Sequence, residues 1–518
     1  MPPILEACLL RLPAFVMTRP DGYEGPPPLG LAYVAAGLRA AGHRVSAVDC
    51  VGDGLDEYRL VAGRSRVLSH GLDLERALER VPKDAALIGF STMFSMEWPF
   101  VKPMIKSVRR RFPRAFLVIG GEHPSAIPEF VLDDCPELDA VAIGEGDETA
   151  VELAAALAAG APLDRVAGLA VRAGGKAIRM PRRARVRDVD AIPEPAWDLF
   201  PIEKYIEAGV IQGINFGRKM PMLASRGCPY ECTFCSSPEM WSPRWTPRKP
   251  ELVVAEMKRY IRAYGADNFI FYDLTAIVSR PWAVEFCERL LDEKLGITWQ
   301  LPDGTRSEAI DAELAGLLHA SGCRLLEYAP ESGSQDELDR IKKRANVDKI
   351  ARSMRDSHRA GISVTANLIF GLPGTTLADL WRTIRFVARL ACYGIDDVSP
   401  SLFVPYPGSE SFARLLAEGR VILGDAYFEE LMANRVFFGG SGTSFCDFSP
   451  RALAWSLRFC VFLFYGVGFL VRPWRLLDFL FAGLRREYRC RAAGVSVYLL
   501  RRRRNLPRPA DPVAAAGR

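Results

Sequence analysis

The stretch Arg226-Gly227-Cys228-Pro229-Tyr230-Glu231-Cys232-Thr233-Phe234-Cys235-Ser236-Ser237-Pro238 places three thiols, Cys228, Cys232 and Cys235, in a C-x3-C-x2-C spacing. Gly227 and Pro229 flank the first thiol and favour an irregular loop in which thiolates converge. Three soft ligands suit an iron–sulfur cluster, where thiolates hold each iron. A cubane has four irons, so three cysteines leave one iron open to a further ligand. A structural zinc site would call for four ligands, and no fourth Cys or His lies nearby in the sequence. Three unrelated buried thiols are the other alternative.

Working outward, the chain has 518 residues, which the length prior divides into roughly three domains. Apolar residues make up 49% and charged residues 25%, enough for an ordinary folded core. Twelve cysteines are scattered without a short disulfide framework, and Met1–Pro20 lacks the pattern of a signal peptide. A reduced, cytoplasmic setting is expected, with the other nine cysteines as small buried hydrophobes. The net charge is +5, but residues 450–518 hold fourteen arginines against three acids. A basic tail on a slightly acidic body points to a local partner.

Residues 1–160 alternate short apolar runs with helical patterns. Strands are expected at Ile4–Leu9, Arg44–Asp49, Ala86–Ser91, Phe116–Ile119 and Ala140–Ile143. Helices are expected at Leu29–Ala41, Leu72–Val81, Trp98–Phe112 and Glu148–Leu157. This alternation predicts an α/β fold with a parallel, doubly wound, Rossmann-like sheet whose ligands sit at the carboxyl ends of the strands. Ser91 and Thr92 follow the third strand, Gly120 and Gly121 the fourth, and Gly144, Glu145 and Gly146 the fifth. Such residues let a ligand approach the backbone, or are merely short turns. Residues 161–215 read as a linker with a small β appendage.

Over residues 216–420 the alternation resumes. Strands are expected at Pro221–Ser225, Asn268–Tyr272, Thr298–Leu301, Leu325–Ala329, Ser363–Phe370 and Asp397–Val404, with helices between them. These six β/α units resemble a partial (β/α)6 barrel of the TIM type, and in such barrels the working residues project from the strand ends.

The cysteine loop resembles the signature of the radical S-adenosylmethionine (SAM) superfamily, and the aromatic Phe234 before its third cysteine fits that pattern. Pro26-Pro27-Pro28-Leu29-Gly30 and Gly144-Glu145-Gly146 are similar to the cobalamin-binding domain that precedes one large class of these enzymes. The resemblance covers about residues 1–420. It implies a [4Fe-4S] cluster on Cys228, Cys232 and Cys235, with SAM chelating the open iron. Phe234, Asp273, Glu331, Asn367 and Gly371 would contact SAM. Ser91, Thr92, Gly120, Gly121, Gly144, Glu145 and Gly146 would contact cobalamin. Leu274 stands where many relatives carry a second acid. The Asp-x-His-x-x-Gly motif of cobalamin domains with a lower axial histidine is absent, so cobalt is expected to lack an imidazole ligand, and His123 reads as a packing residue.

In the implied reaction an electron from the cluster cleaves SAM to a 5′-deoxyadenosyl radical, which takes hydrogen from an unactivated C–H. Methylcobalamin then delivers a methyl group, and a second SAM remethylates cobalt. The anaerobic Mg-protoporphyrin ester cyclase and hopanoid-modifying enzymes resemble this architecture, so radical oxidation, cyclisation or rearrangement is the alternative. A cluster- or cobalamin-based sensor is the alternative of another class. An external electron donor such as flavodoxin or ferredoxin is implied.

Residues 421–518 break the pattern. Leu453–Leu484 is rich in aromatic and aliphatic residues, and its uninterrupted run Phe459–Val471 is shorter than the roughly 20 residues that span a bilayer. An apolar, Trp-bearing helix pair with basic flanks reads as an interfacial membrane anchor, placing the protein peripherally on the inner face of the cell membrane and favouring a lipid-like substrate. A soluble lid over the barrel mouth is the second reading, and a nucleic-acid contact through Arg501–Arg504 the weakest. Removing the tail after Pro450 is expected to leave SAM cleavage intact.

Overall fold

The computed structural model describes residues 4–17, 25–64, 66–306, 309–434 and 443–476. Its first sheet contains β1 (Glu6–Arg11), β2 (Arg44–Asp49), β3 (Leu87–Ser91), β4 (Phe116–Gly120), β5 (Ala140–Ala142), β6 (Leu169–Ala173) and β7 (Lys176–Arg179), in the order β7-β6-β5-β4-β3-β1-β2. The first five strands are parallel. The hairpin β6–β7 joins antiparallel beside β5, so the residues expected as a separate appendage extend this sheet. Helices α1 (Leu29–Ala40), α2 (Trp98–Arg111) and α3 (Gly146–Ala159) accompany it.

The first strand lies two residues later than expected, because pairing sets Glu6 opposite Arg44. The helix expected over Leu72–Val81 is confined to Leu74–Leu78, where the Asp73 carboxylate accepts the Glu75 N–H and Pro82 follows shortly after. A three-stranded antiparallel sheet (Ala14–Met17, Val67–His70, Tyr58–Leu60) flanks the domain and was not foreseen.

The second sheet runs β8 (Lys219–Met222), β9 (Asn268–Phe271), β10 (Thr298–Thr305), β11 (Cys323–Glu331), β12 (Ser363–Phe370) and β13 (Asp397–Leu402), all parallel and in chain order. Between the strands run α4 (Pro250–Tyr264), α5 (Arg280–Glu293), α6 (Ala312–Ala320), α7 (Val347–Arg359) and α8 (Leu377–Tyr393). Most residues of these strands are buried, as in parallel strands under helices, with Asp303 of β10 and Ser401 of β13 exposed. Phe271, Phe286 and Trp299 pack edge to face where β9, α5 and β10 meet. Strand β10 continues beyond the expected Leu301 through Pro302-Asp303-Gly304, because its pairing with β11 slips between Leu301 and Thr305 and tolerates these breakers.

Helix α9 (Asp425–Asn434) returns to the first domain, where Phe428 meets His123 and Phe130 and Lys102 pairs with Asp425. Helix α10 (Pro450–Val471) starts at the Ser449 cap and lies parallel to α8. Leu453 touches Gly371 just before α8, and the Arg472 guanidinium donates to the Tyr393 carbonyl at its end. The first member of the expected helix pair is this 22-residue helix, which ends at Val471 before Pro473; a new helical turn opens over residues 474–476, and the rest of the expected second helix, with Phe479, Phe481 and the arginines from Arg485 onward, lies outside the described residues.

Candidate active site

The cysteine loop leaves β8 at the carboxyl end of the barrel. Gly227 has φ +80, and a Cβ there would sit 2.2 Å from the Arg244 carbonyl oxygen, so only glycine fits. The loop is pinned by the Thr233 N–H donating to the Ile341 carbonyl (3.0 Å) and the Ser411 N–H donating to the Thr233 carbonyl (2.8 Å). The Cys235 N–H donates to the Cys232 carbonyl, closing a turn between the two ligand candidates.

Burial pushes all three thiols up, Cys235 to about 12, while the Lys343 and Arg306 cations oppose this at Cys228 and Cys232. Cys228 and Cys235 also feel the charge of neighbouring thiols. Among the described residues no three His, Cys, Asp or Glu side chains form a ready cage for one metal ion. A four-iron cluster asks for a wider set, each thiolate on its own iron, and three sulfurs beside two cations suit its net negative charge.

Cationic partners converge on the loop from the segment just after β10 and from the turn that precedes α7. Arg306 stacks on the Tyr230 ring at 3.5 Å and donates to the Arg344 carbonyl. Lys343 is buried 2.7 Å from the Glu331 carboxylate and 5.8 Å from the Phe234 ring centroid. Burial opposes its charge, yet Glu331 and Cys232 hold the ammonium above its usual value. Glu331 itself takes a left-handed φ of 63 where the pairing of β11 with β12 slips. A non-glycine residue in that region is the kind of strain found at ligand sites.

The other residues expected around SAM have distinct surroundings. Asp273 is buried, and its two oxygens accept from the Ala224 N–H (3.0 Å) and the Ser225 hydroxyl. Burial raises its carboxyl to about 6 despite these bonds. It thus braces the strand that leads into the cysteine loop. Asn367 donates to Glu327 across β12 and β11 (3.3 Å). Gly371 turns toward the tail, where a Cβ would meet Leu453 at 2.6 Å. Sequence reasoning missed Asp303, which water reaches, yet which protein encloses closely enough to raise its carboxyl to about 6; Gln212 donates to it at 3.0 Å. Its signal was hidden inside a Pro-Asp-Gly run that reads as a turn.

The strand ends of the first domain form a shelf facing the cysteine loop. Gly121, at φ +108, approaches Thr92 so closely that a Cβ would lie 2.5 Å from its carbonyl oxygen. The Thr92 N–H donates to the Gly120 carbonyl, and the Gly144 N–H to the Ser125 hydroxyl. Thus Ser91, Thr92, Gly120, Gly121 and Gly144 lie at or just past the carboxyl ends of β3, β4 and β5, and their small side chains suit a surface for a broad planar group.

Across from it, the Ser236 hydroxyl donates to Glu122, and Gly144 faces the Met240 carbonyl. Glu145 and Asp147 reach further: Arg226, directly before the loop, pairs with Asp147 (2.6 Å) and Glu145 (3.4 Å), and Arg185 also pairs with Glu145. Glu145 is therefore a strut between the domains. Gly146 opens α3. His123 is buried between Trp98 and Phe428, bonded to the Ser95 hydroxyl at 2.9 Å, and burial lowers it to about 3.

Residues 222–387 match the radical SAM superfamily and residues 22–154 the B12 binding domain. The chain is 30% identical over 449 residues to cytidylyl-2-hydroxyethylphosphonate methyltransferase of Streptomyces wedmorensis, covering 80% of this chain and 83% of that protein. The chain belongs to the cobalamin-dependent radical SAM methyltransferases. An uncharacterized methyltransferase of Pyrococcus horikoshii is 29% identical over 396 residues, 76% of this chain and 80% of its own. The fold of the radical SAM methyltransferase TsrM from Kitasatospora setae, solved with cobalamin and a [4Fe-4S] cluster, aligns over 88% of this chain and 91% of its own at a TM-score of 0.64 and 17% identity. As a radical SAM methyltransferase the chain uses SAM, cobalamin and a [4Fe-4S] cluster as cofactors.

Proposed function

We propose that this methyltransferase places a methyl group on an unactivated carbon of a lipid-like substrate, using Cys228, Cys232 and Cys235 to hold the cluster. The observation that carries the reading is the strand-end shelf of the first domain set against the cysteine loop, joined by Ser236 to Glu122 and by Arg226 to Asp147 and Glu145. When bound, the three cofactors supply reductive cleavage of SAM, hydrogen abstraction from carbon and a transferable methyl group.

The chain's own residues position and enclose. Lys343 and Arg306 offset negative charge at the thiolates, and Phe234 with Lys343 offers an apolar face and a cation beside them. Asp273 fixes the entry to the loop through Ala224 and Ser225. Asp303, Glu331 and Asn367 present polar groups in the carboxyl-terminal halves of β10, β11 and β12, the side of such a barrel where ligands are held. Ser91, Thr92, Gly120, Gly121 and Gly144 leave room on the shelf, and the buried His123 stays with its aromatic neighbours rather than reaching cobalt.

The lipid-like part of the reading is supported by the apolar outer face of α10, which begins at the same end of the barrel as the site. Such a substrate partitions into membranes, and flavodoxin or ferredoxin would supply electrons at the cytoplasmic face.

The test is anaerobic incubation of reduced holoenzyme with methyl-labelled SAM and a lipid extract, followed by mass spectrometry and assay of 5′-deoxyadenosine. A labelled lipid together with 5′-deoxyadenosine is expected, and both should vanish in Cys232→Ala. Persistent 5′-deoxyadenosine in that variant would remove the cluster assignment. Label confined to water-soluble products would remove the lipid.

A further inference from the structure

Helix α10 has two unlike faces. Leu453, Leu457, Cys460, Phe464 and Gly468 are buried toward the barrel, beside α8 and β13. The opposite stripe, spaced at helical intervals, is apolar and open: Trp455 is 67% exposed, Phe459 49%, Phe462 74% and Leu470 84%. Large apolar side chains at this exposure are ordinary singly, but not as a stripe along one helix.

The stripe does not stop at the tail. Helices α8 and α10 run parallel, so Leu377 and Trp381 of α8 lie level with the first half of α10. Arg382 and Arg389 pair with Asp336 and Asp348, marking the α8 flank that looks away from α10. Leu377 and Trp381 occupy the other flank and are 60% and 55% exposed. Two helices, one of them part of the catalytic barrel, thus share one apolar face.

We propose that this face docks the methyltransferase on an anionic lipid bilayer, with α10 lying flat in the interface. Charge selects that occupant. The Arg458 guanidinium lies 5.7 Å over the Trp455 ring, Arg451 and Arg385 are exposed nearby in the helices, and residues 477–518 carry ten arginines against three acids. An apolar stripe rimmed by arginine is the pattern of a helix at the headgroup boundary.

Although α10 is long and apolar enough to cross a bilayer, its inner face is tied to the protein. The Tyr465 hydroxyl donates to Asp397 (2.6 Å), and the Arg475 guanidinium donates to the Ile395 and Asp396 carbonyls (2.9 Å each). A spanning helix would surrender these bonds, whereas one lying flat keeps them. Because Leu453 packs on the Gly371 turn at the carboxyl end of β12, docking sets the mouth of the barrel beside the lipid. The use of that placement rests on the lipid-like substrate, whereas the geometry of the face does not.

The experiment is co-sedimentation of full-length protein with phosphatidylglycerol-containing and pure phosphatidylcholine vesicles, at low and high salt. Binding to the anionic vesicles, weakened but not abolished by salt, is expected. Two double variants, Leu377→Ser with Trp381→Ser and Trp455→Ser with Phe462→Ser, should each lower partition by about tenfold or more. The α8 pair discriminates most, since it leaves the tail untouched. 5′-Deoxyadenosine formation in lipid-free buffer should be the same in all three proteins, so loss of catalysis and loss of docking are read separately.

Absence of vesicle binding by the wild type overturns the docking surface. So does an α8 variant that binds like wild type. A dimer in lipid-free buffer that needs the same side chains would assign the face to a second copy. Stronger binding to pure phosphatidylcholine after removal of residues 477–518 would show that the chain's own end covers the face, and would likewise overturn it.

Discussion

His123 and Asp303 show how one side chain's surroundings settle what it can do. His123 is the one histidine at an expected strand end, yet Trp98, Phe428 and Ser95 enclose it, and burial holds the ring neutral to about pH 3. His123→Phe should therefore still bind cobalamin, and the electron paramagnetic resonance spectrum of the Co(II) form should lack nitrogen superhyperfine splitting from this ring before and after substitution. Splitting present only in the wild type would reverse the assignment. Asp303 carries a pH signature instead. Its carboxyl is raised from 3.8 to about 6 by burial, so the folded state binds the proton more tightly than the unfolded chain. The favourable contribution is therefore present below about pH 4 and is lost as pH rises through about 6. Asp303→Asn keeps the acceptor for Gln212 and removes the charge. Its thermal stability relative to wild type, measured on metal-free protein, should grow from pH 4 to pH 7 by about 1 kcal/mol, a figure lowered because water reaches the side chain. A constant difference across that range would show that Asp303 does not titrate there.

At the scale of elements, what was legible in the sequence depended on how local its cause was. The barrel strands stood out because each is a continuous apolar run, and Ser363–Phe370 was placed to the residue. The extension of β10 was hidden because Pro302 and Gly304 break strands in isolation, and only pairing with a slipped register admits them. The flanking sheet of Ala14–Met17, Tyr58–Leu60 and Val67–His70 was hidden because its strands are only three or four residues long, and the last two mix polar with apolar residues. The cysteine loop was legible down to its ligand candidates, but its supports were not: Lys343 and Arg306 come from far along the chain, and Arg226 reaches Asp147 across 79 residues. That strut makes a prediction of its own. Arg226 is buried, pairs with the half-buried Asp147 and lies 5.0 Å over the Tyr33 ring. Arg226→Met leaves the Asp147 carboxylate without its partner, and the loss of stability should be about 3 kcal/mol. Arg226→Met combined with Asp147→Asn should recover part of that loss in thermal melts of the metal-free protein. Equal losses in the single and double variants would mean the pair is not coupled.

For the whole molecule, the tail is where sequence and structure part most. Every cluster and SAM candidate lies upstream of Pro450, and on that ground alone SAM cleavage should survive truncation there. The structure makes α10 part of the barrel wall instead. It covers α8 and the outer strand β13, seats Leu453 on the Gly371 turn and satisfies Asp397 through Tyr465. Removing it exposes the surface now covered by Leu453, Leu457 and Phe464, each contributing about 1.5–3 kcal/mol when fully buried. It also leaves an open strand edge next to the site, a liability for aggregation. Two truncations separate the α10 wall from the basic segment 477–518. A chain ending at residue 449 should lose several kcal/mol of stability, expose apolar surface to a hydrophobic dye and lose 5′-deoxyadenosine formation. A chain ending at residue 476 keeps α10 with its Arg472 and Arg475 bonds and should melt like the full protein, with 5′-deoxyadenosine formation unchanged. The measurements are calorimetry on the metal-free proteins and 5′-deoxyadenosine release from the reconstituted ones. If the 449 truncation folds and cleaves SAM like wild type, α10 is an independent appendage. If the 476 truncation fails as badly as the shorter one, the decisive contacts lie beyond residue 476.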